Sequence, residues 1–397
     1  MQRRHIHVAA RVRPCLTNNG ERNSEKVVKA VSDSVIRITG GNYFIFDSAF
    51  EDDKNQADVF NLVAKDIVKG CIEGYNGTVF AYGQTGSGKT YTMIGPGLLA
   101  ETLKQCPEKS GLIPRVAELI FFLLREKQKK EEAFMFEVKT TFVQLYKEKL
   151  YDLLGSDSDV KNLQIRLDDH GNTVLTGAEE RVVNTISDLI LVVDEGLARR
   201  KVAETAMNTE SSRSHAILTF TIKTTVCGNN GITVNKCSRL NLVDLAGSER
   251  QKDALSAGER LKEASSINLS LLMLGRVIRA LSEPDFKHGS YIAYRDSTLT
   301  LLLKDSLGGN AQTAVIVTVH PNKRFLDETI LTLRFAQQVK KVKNHAIVNE
   351  DLTGESVDAF KAEIRRLNLE LSEAKSKFPN KALRKKLSWL FLKKLFD

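Results

Sequence analysis

The sequence predicts an α/β fold, with one large domain that extends to about Val342. Short apolar runs alternate there with longer periodic runs, which is typical of a sheet covered by helices on both faces. No Pro/Ser-rich linker and no internal repeat interrupts the alternation. A chain of 397 residues would hold two or three domains at roughly 150 residues each, but the unbroken pattern favours one.

The apolar runs behind this prediction lie at residues 5–12, 78–82, 134–145, 240–244 and 313–319. We interpret them as strands because short, continuous apolar runs are typical of buried strands. Longer runs at residues 259–281 and 326–343 have helical periodicity. These segments give the predicted sheet its strands and two of its covering helices.

Composition excludes several classes of protein. No uninterrupted apolar run approaches the roughly 20 residues of a membrane-spanning helix, and the N-terminus lacks the apolar core of a signal peptide. We therefore expect an intracellular protein without a membrane span. The five cysteines are odd in number and form no C-x-x-C pair, so reduced thiols are expected rather than disulfides or zinc ligands.

The net charge of +9 is concentrated at the C-terminus. Residues 361–397 hold eleven Lys/Arg and four Asp/Glu, a net of +7, which leaves +2 for the rest. Because the body is nearly neutral, it must meet any acidic partner through a local patch rather than a global field. No nucleic-acid partner is expected.

The first motif follows the strand predicted at residues 78–82. It satisfies G-x-x-x-x-G-K-[ST] with Gly83, Gln84, Thr85, Gly86, Ser87, Gly88, Lys89 and Thr90, followed by Tyr91. Its glycines let backbone N–H groups curl around phosphates, and a helix N-terminus adds a favourable dipole. We expect Lys89 to reach the β/γ-phosphates and Thr90 to hold Mg²⁺.

The second motif ends the strand predicted at residues 240–244. A strand beside the phosphate-loop strand that ends in a carboxylate, here Asp244, is the expected place for a group that acts on Mg²⁺. Gly247 follows, and its backbone N–H could approach a γ-phosphate because no side chain intervenes. The turn alone is weak evidence, but the upstream phosphate loop strengthens it.

The third motif is a cluster of hydroxyls around one arginine, namely Asn208, Ser211, Ser212 and Arg213. Hydroxyls suit the coordination of Mg²⁺ and of an attacking water, and an Arg can pair bidentately with a carboxylate such as Glu249. By itself the cluster would be a polar turn that starts a strand. With the other two motifs it completes a phosphate-sensing set.

Together these motifs resemble the kinesin motor superfamily, over nearly all of residues 6–353. The resemblance implies a P-loop NTPase-type fold with a mixed sheet, ATP hydrolysis with Mg²⁺, and microtubule binding. It assigns the phosphate loop to residues 83–90, switch I to residues 208–215 and switch II to residues 244–249. Thr90 and Ser212 would serve Mg²⁺, and Arg213 would close onto Glu249. The adenine-contacting elements would hold Arg11, Arg13, Pro14 and Tyr75.

The stretches at residues 247–253, 176–180 and 348–352 most resemble the kinesin-12 subfamily, whose members act on the mitotic spindle. We therefore expect a protein of the cytoplasm and microtubule cytoskeleton. Other P-loop classes, namely myosins, AAA-type ATPases and small GTPases, lack the Ser-Ser-Arg-Ser-His and Asp-Leu-Ala-Gly-Ser-Glu pair.

The resemblance also implies a microtubule-binding face of basic residues that opposes the acidic surface of tubulin. The candidates are Lys149, Arg250, Lys252, Arg260, Lys262 and Arg295. Each alone would be an ordinary surface charge, but the set favours a patch. Leu269, Thr298 and Leu301 stand where the family often has cations, so we expect weaker filament binding than usual.

Residues 1–339 would then be the motor domain and residues 340–353 the neck linker, which docks along the motor after ATP binding. Val342 matches the apolar plug of the linker and Asn349 its latch, with Asn344 between them. Under the resemblance, a linker at the C-terminal side of an N-terminal motor domain implies stepping toward the plus end of the microtubule. Since only residues 1–4 precede the first predicted strand, we expect the cover strand that pairs with the linker to be short or missing.

Two C-terminal segments follow. Residues 356–377 carry apolar residues at three-four spacing, so residues 357–374 could form a short coiled-coil seam of a homodimer or lie on their own domain. Residues 378–397 form a basic amphipathic segment that could bind a membrane, a partner or a filament, or be a plain end. The leading hypothesis is a microtubule-stimulated ATPase and plus-end motor. The alternative is a non-motile, kinesin-like spindle protein with slow ATPase activity.

Overall fold

The structure is a computed structural model that describes most of residues 4–353 and a short part of the C-terminal region. The described residues are 4–15, 25–51, 53–155, 163–168, 171–206, 211–227, 233–249, 259–283, 291–353, 364–370 and 372. Among the residues so described, we find no helix that is both long and apolar enough to cross a membrane.

Strands and helices alternate along most of the chain. The strands are β1 (Arg4–His5), β2 (His7–Val12), β3 (Val28–Ser32), β4 (Val35–Ile38), β5 (Asn42–Ile45), β6 (Ser48–Phe50), β7 (Gly77–Tyr82), β8 (Phe134–Tyr146), β9 (Lys149–Asp152), β10 (Gln164–Leu167), β11 (Thr173–Thr176), β12 (Arg181–Val182), β13 (His215–Cys227), β14 (Thr233–Asp244), β15 (Gln312–Val319), β16 (Lys343–Asn344) and β17 (Glu350–Thr353). The α-helices are α1 (Gln56–Val59), α2 (Lys65–Ile72), α3 (Lys89–Met93), α4 (Leu99–Gln105), α5 (Leu112–Lys130), α6 (Ile186–Ala206), α7 (Glu259–Ser282), α8 (Thr298–Leu302) and α9 (Leu326–Val339).

A mixed sheet forms the centre of the molecule. Its main path runs in the order β12, β8, β13, β14, β7, β15, β2 and β6, with β9 and β17 attached to β8 and β14. The strands from β14 to β6 pair in parallel, whereas β12, β8, β13 and β14 pair antiparallel. The predicted α/β fold with helices around a mixed sheet is confirmed.

Each face of the sheet has its own apolar core. Successive strand residues point to opposite faces, so Val79 and Phe80 of β7 belong to different cores. One core packs against α2, α5 and α6, and the other against α7, α8 and α9. The near-continuous apolar runs at residues 78–82, 240–244 and 313–319 therefore reflect strands buried on both sides.

The structure corrects the predicted end of the last long helix. The helix predicted to reach residue 343 ends at Val339. Beyond it the chain turns, Ile6 donates its backbone N–H to the Val342 carbonyl (3.1 Å), and β16 pairs with β1. Val342 is fully buried, so burial of this side chain and the strand pairing outweigh continuation of the helix.

Residues 340–353 follow an extended course over the body. After β16, His345 donates to the Gly309 carbonyl (2.9 Å) and Asn349 to the Gly74 carbonyl (2.9 Å). β17 then pairs antiparallel with residues 233–236 of β14. β1 takes the place of the expected cover strand, because it pairs with β16. Within the described residues it spans only two residues.

Little of the predicted C-terminal seam is described. Residues 364–370 are helical, with Leu367 buried, Ile364 half exposed, and Arg366 paired with Glu370 (3.4 Å). The rest of residues 356–377, except residue 372, and all of residues 378–397 lie outside the described residues. The seam and the basic segment therefore stay predictions.

The buried strand β13 offers a test of the core. Phe220 is fully buried, whereas Phe122 of α5 is 61% exposed. We expect Phe220→Ala to lower the free energy of unfolding by about 3–5 kcal/mol, because it leaves a cavity in a packed core. The matched control Phe122→Ala should change it by less than about 0.5 kcal/mol. Urea unfolding of both variants measures the difference, and equal effects would contradict this core assignment.

Candidate nucleotide-binding site

A cavity of about 900 Å³ opens at the carboxyl ends of β7, β14 and β2. Parallel pairing of these central strands brings their ends to one edge of the sheet, where ligands of α/β proteins commonly bind. The predicted residues that line the cavity are Arg11, Arg13, Pro14, Thr85, Gly86, Gly88, Lys89, Thr90, Tyr91, Ser212 and Asp244. Most of the predicted nucleotide-site residues therefore converge on one volume.

The phosphate loop takes a conformation that requires glycine. Gly83, Gly86 and Gly88 have φ values of 153°, 75° and 105°, which side chains with a Cβ rarely adopt. A Cβ on Gly83 would also collide with the backbone oxygen of Thr318. Ser87 braces the loop, because its Oγ donates to the Gln84 carbonyl (2.7 Å). α3 then begins at Lys89.

Lys89 is buried inside this loop. Its Nζ donates to the carbonyls of Gly83 and Gln84, at 2.9 Å each. Burial lowers the pKa of Lys89, and the negative charges of Asp244 and Glu249 oppose that shift. The ammonium thus lies at the mouth of the loop with two neutral carbonyl partners that a phosphate could replace.

The predicted metal residues lie together at the ends of β7 and β14. Thr90 Oγ1 donates to Asp244 Oδ2 (2.7 Å). Asp244 Oδ1 is buried, and among the described residues nothing donates a hydrogen bond to it. A buried carboxylate oxygen in that state indicates a missing polar ligand, and hydroxyl and carboxylate oxygens are what Mg²⁺ prefers. These residues therefore fit Mg²⁺.

The two switch segments touch each other at the cavity. Gly247 donates its backbone N–H to the Ser212 carbonyl (2.7 Å), and a side chain on Gly247 would collide with Thr85 and Glu249. Ser212 lies in a short 3-10 helix, Ser211–Arg213, just before β13. Asn208 lies outside the described residues.

The sequence predicts that Arg213 pairs with Glu249, but in this structure Glu249 is hydrogen-bonded to Thr85 instead. Its carboxylate accepts from the backbone N–H (2.8 Å) and the hydroxyl (2.5 Å) of Thr85. These donors come from the phosphate loop, which lies directly beneath switch II because Ser248 donates to the Gly83 carbonyl (3.1 Å).

The end of β2 forms the far wall of the cavity. Arg13 donates to the Gly86 carbonyl (2.6 Å), and the Arg11 guanidinium lies 5.4 Å from the ring centroid of Tyr91. Burial lowers the pKa of Arg11, and its Nη1 donates to Gln56 and Thr92 (2.8 and 2.9 Å). These contacts fix a basic and aromatic wall on which a planar base can stack.

Tyr75 was predicted to flank the base, and the structure contradicts this. Tyr75 precedes β7 and Gly83 follows it, so the strand separates them by roughly 20 Å at about 3.3 Å per residue. Tyr75 forms a bridge with Val348 and lines a different cavity, together with Asn344 and Ile347.

Two buried residues of the site were missed by the sequence analysis. Arg200 of α6 donates to the Ser214 carbonyl (3.2 Å) and lies 3.5 Å from Asp244 Oδ2. His215 accepts from the Ala246 backbone N–H at Nδ1 (3.0 Å), so Nε2 carries the proton that faces Ser270 Oγ of α7 (2.8 Å). Burial, with the charges of Arg200 and Lys89, lowers the pKa of His215 to about 3.

Of the predicted microtubule face, the structure places Lys149 and Arg295 on one exposed surface. Lys149 follows a tight turn at Lys147 and Glu148, both with positive φ. The Glu148 carboxylate accepts from Ser297 Oγ (3.0 Å) and the Thr298 backbone (2.5 Å), which brings the turn beside Arg295. Arg250 and Lys252 lie outside the described residues, as do the side chains of Arg260 and Lys262.

A phosphate loop, a carboxylate at the end of the neighbouring strand and two touching switch segments define a P-loop nucleotide-binding protein. The model of the kinesin motor domain family matches residues 11–342. The chain therefore belongs to the kinesin motor domain family, and the predicted resemblance is confirmed.

Individual relatives agree with this assignment. The human kinesin-like protein KIF15 is 45% identical over 377 residues, which cover 94% of this chain and 27% of that protein. KIN-12B of Arabidopsis thaliana is 42% identical over 377 residues, 93% of this chain and 28% of that protein. The structure of a fast kinesin matches with a TM-score of 0.78 at 36% identity, covering 87% of this chain and 94% of the other. The chain spans little more than a quarter of these curated relatives.

The neutral imidazole of His215 makes stability depend on pH. Between the unfolded pKa of 6.5 and the folded pKa of about 3, the unfolded chain binds a proton that the native chain does not. We therefore expect this group to lower the free energy of unfolding as pH falls below 6.5, by up to about 1.4 kcal/mol per pH unit. His215→Gln should lose that part of the slope.

Urea unfolding between about pH 7.5 and about pH 5 measures this dependence. His215→Gln is compared with the native chain at each pH. An unaltered slope in His215→Gln would contradict the assignment of a buried, neutral imidazole.

Proposed function

We propose that this chain is a microtubule-stimulated ATPase and a plus-end-directed microtubule motor that couples ATP hydrolysis to docking of its neck linker, residues 340–353. The observation that carries the proposal is the contact between the Gly247 N–H and the Ser212 carbonyl, at the edge of a cavity that holds Lys89, Thr90 and Asp244. Membership of the kinesin motor domain family supports it.

In this proposal ATP occupies the cavity with its base against Arg11, Pro14 and Tyr91. Lys89 exchanges its two carbonyl partners for phosphate oxygens. Thr90 and Ser212 would hold Mg²⁺, with Asp244 acting through water, and the chemistry that Mg²⁺ would supply is the neutralisation of charge developing on the phosphates.

Hydrolysis requires the switches to close on the γ-phosphate. The Gly247 N–H turns from the Ser212 carbonyl toward a phosphate oxygen, while Asn208, Ser211 and Ser212 orient the attacking water. Glu249 leaves Thr85 and pairs with Arg213, as the family resemblance implies. Catalysis then rests on positioning and electrostatic stabilisation, because phosphoryl transfer needs little covalent help from the protein.

A continuous path of contacts supports coupling to the linker. His215 joins Ala246 of switch II to Ser270 of α7, and α7 shares one core with α9. The linker starts at the end of α9, where Val342 is buried and Asn344 donates to the carbonyls of Ser306 and Ala311 (2.9 and 2.8 Å). A shift of switch II can therefore reach the segment that anchors the linker.

The proposed partner is the microtubule. Lys149 and Arg295 lie on the exposed surface that would contact it. The fast kinesin that this chain resembles was reported with its ATPase mechanism and its interactions with microtubules. We place the protein on the microtubule cytoskeleton, and the similarity to KIF15 and KIN-12B favours a kinesin-12 role at the spindle. Residues 357–374 would join two copies as a homodimer.

A non-motile, spindle-bound kinesin-like protein with slow ATPase activity is the second candidate. It is favoured by β1, which within the described residues pairs with the docked linker over only Arg4 and His5. Thr298, at a position where the family often has a cation, is bound to Glu148 through its backbone and its hydroxyl. Both features point to weaker force or weaker filament binding.

Steady-state ATPase activity with and without microtubules at low salt tests the proposal first. We expect saturable stimulation in the native chain and a loss of roughly 100-fold or more in Glu249→Ala, because the closing carboxylate is removed. Glu132→Ala is the control, since Glu132 is exposed and remote in the fold. ATPase activity that does not increase when microtubules are added would favour the second candidate.

The filament face can be tested by removing its cations. We expect Lys149→Ala and Arg295→Ala each to weaken microtubule affinity a few-fold at low salt, and the difference to shrink at high salt because exposed charges are screened. Lys130→Ala, an exposed lysine on α5 at the opposite face of the sheet, is the control. Co-sedimentation across a salt series gives the affinities, and equal values for all three variants would exclude this face.

A further inference from the structure

The far end of the linker rests on a cluster of asparagines. Asn76, Asn172 and Asn310 come from three separate parts of the body, and Asn349 comes from the linker. Asn310 Nδ2 lies 2.9 Å from Asn349 Oδ1 and 2.9 Å from Asn172 Oδ1. Asn310 Oδ1 accepts from the Ile347 backbone N–H (2.8 Å), so one side chain holds two residues of the linker.

Asn172 lies in the turn of the β10–β11 hairpin, residues 164–176, and is 4% exposed. Its amide is fixed from both sides. The Asp168 carboxylate accepts from the Asn172 backbone N–H (2.8 Å) and from its Nδ2 (3.3 Å). The same Nδ2 lies 3.4 Å from Asn349 Oδ1, which leaves Asn172 Oδ1 facing Asn310.

Asp168 anchors this turn to the sheet. Arg239 of β14 donates to its Oδ2 (3.2 Å), and the backbone N–H of Arg239 donates to Asn76 Oδ1 (3.0 Å). Asn76 Nδ2 in turn donates to the Asn310 carbonyl (3.2 Å). The hairpin turn, the sheet and the loop before β15 therefore form one hydrogen-bonded unit under the linker.

The orientation of the Asn310 amide follows from this arrangement. An amide side chain has a donor end and an acceptor end, and Asn310 needs the donor end toward Asn349 and the acceptor end toward Ile347. Asn172 Oδ1 accepts from the donor end, which selects that orientation over the flipped one. Without Asn172, the half-buried Asn310 amide would lose one of the three partners that set its direction.

We propose that Asn172 is a positioning residue for the docked linker, which orients Asn310, contacts Asn349 directly and so couples the β10–β11 hairpin to residues 347–349. The proposal rests on the linker docking proposed above. It makes the hairpin a second control point for docking, separate from the path through α7 and α9. A partner or modification that displaces the hairpin turn would loosen the linker without contact to it.

The experiment compares linker docking in variants of the full chain. A spin label at residue 352 and a nonhydrolysable ATP analogue with microtubules report the ratio of docked to free linker. We expect Asn172→Ala to lower this ratio roughly two- to tenfold, the effect of losing about one hydrogen bond. Nucleotide affinity should be unchanged, because the cavity lies at the other end of β7. Asn42→Ala, an exposed asparagine of β5, is the matched control.

Two further variants separate positioning from simple destabilisation. Asn349→Ala combined with Asn172→Ala should lower the ratio by less than the product of the two single effects, since both residues contact Asn310 and each other. Asp168→Ala should lower the ratio in the same direction if Asn172→Ala fails to fold. Additive losses, or a ratio in Asn172→Ala or Asp168→Ala equal to that of the control, would overturn the proposal. A native chain with no nucleotide-dependent docking would instead overturn the proposed function.

Discussion

Parallel pairing of β7 with β14 is the constraint on which the rest of the site depends. It aligns Leu240 with Gly77 and Asp244 with Ala81, so the phosphate loop and switch II leave the sheet at the same edge. The contact of Thr90 with Asp244 follows from this register, as does the position of Ser248 over Gly83. A shift of one residue would turn Asp244 to the opposite face of the sheet.

The same strand separates the two functional ends of the molecule. The nucleotide cavity lies at its carboxyl end, and Gly74 and Tyr75 at its amino end contact the linker. β7 is buried along nearly its whole length, so we expect it to stay rigid rather than to change conformation. The proposed coupling between the ends would therefore run through the surrounding helices and loops, where His215 contacts Ala246 and Ser270.

The sequence analysis found those parts of the fold and the site that are encoded locally. The phosphate loop could be predicted because its glycines, lysine and threonine are contiguous and follow an apolar strand. Arg200 could not, because its contact with Asp244 joins residues 44 positions apart and no local pattern marks it. Tyr75 was misplaced because a motif beside a strand does not by itself say which end of the strand faces the ligand. The helix at residues 326–339 was overextended because the burial of Val342 depends on pairing with the N-terminus.

The linker is attached unevenly along its length. Val342 and Asn344 are buried in the body, whereas every residue of β17 is exposed and held by backbone pairing with β14. A load applied to the chain beyond Thr353 therefore meets its weakest attachment first. We expect the backbone pairing of β17 to break first, one residue at a time, followed by the hydrogen bonds of Asn349. The buried contacts of Val342 would break last. If residues 340–353 act as the proposed linker, small loads would disturb residues 350–353 and only larger loads would reach the end of α9.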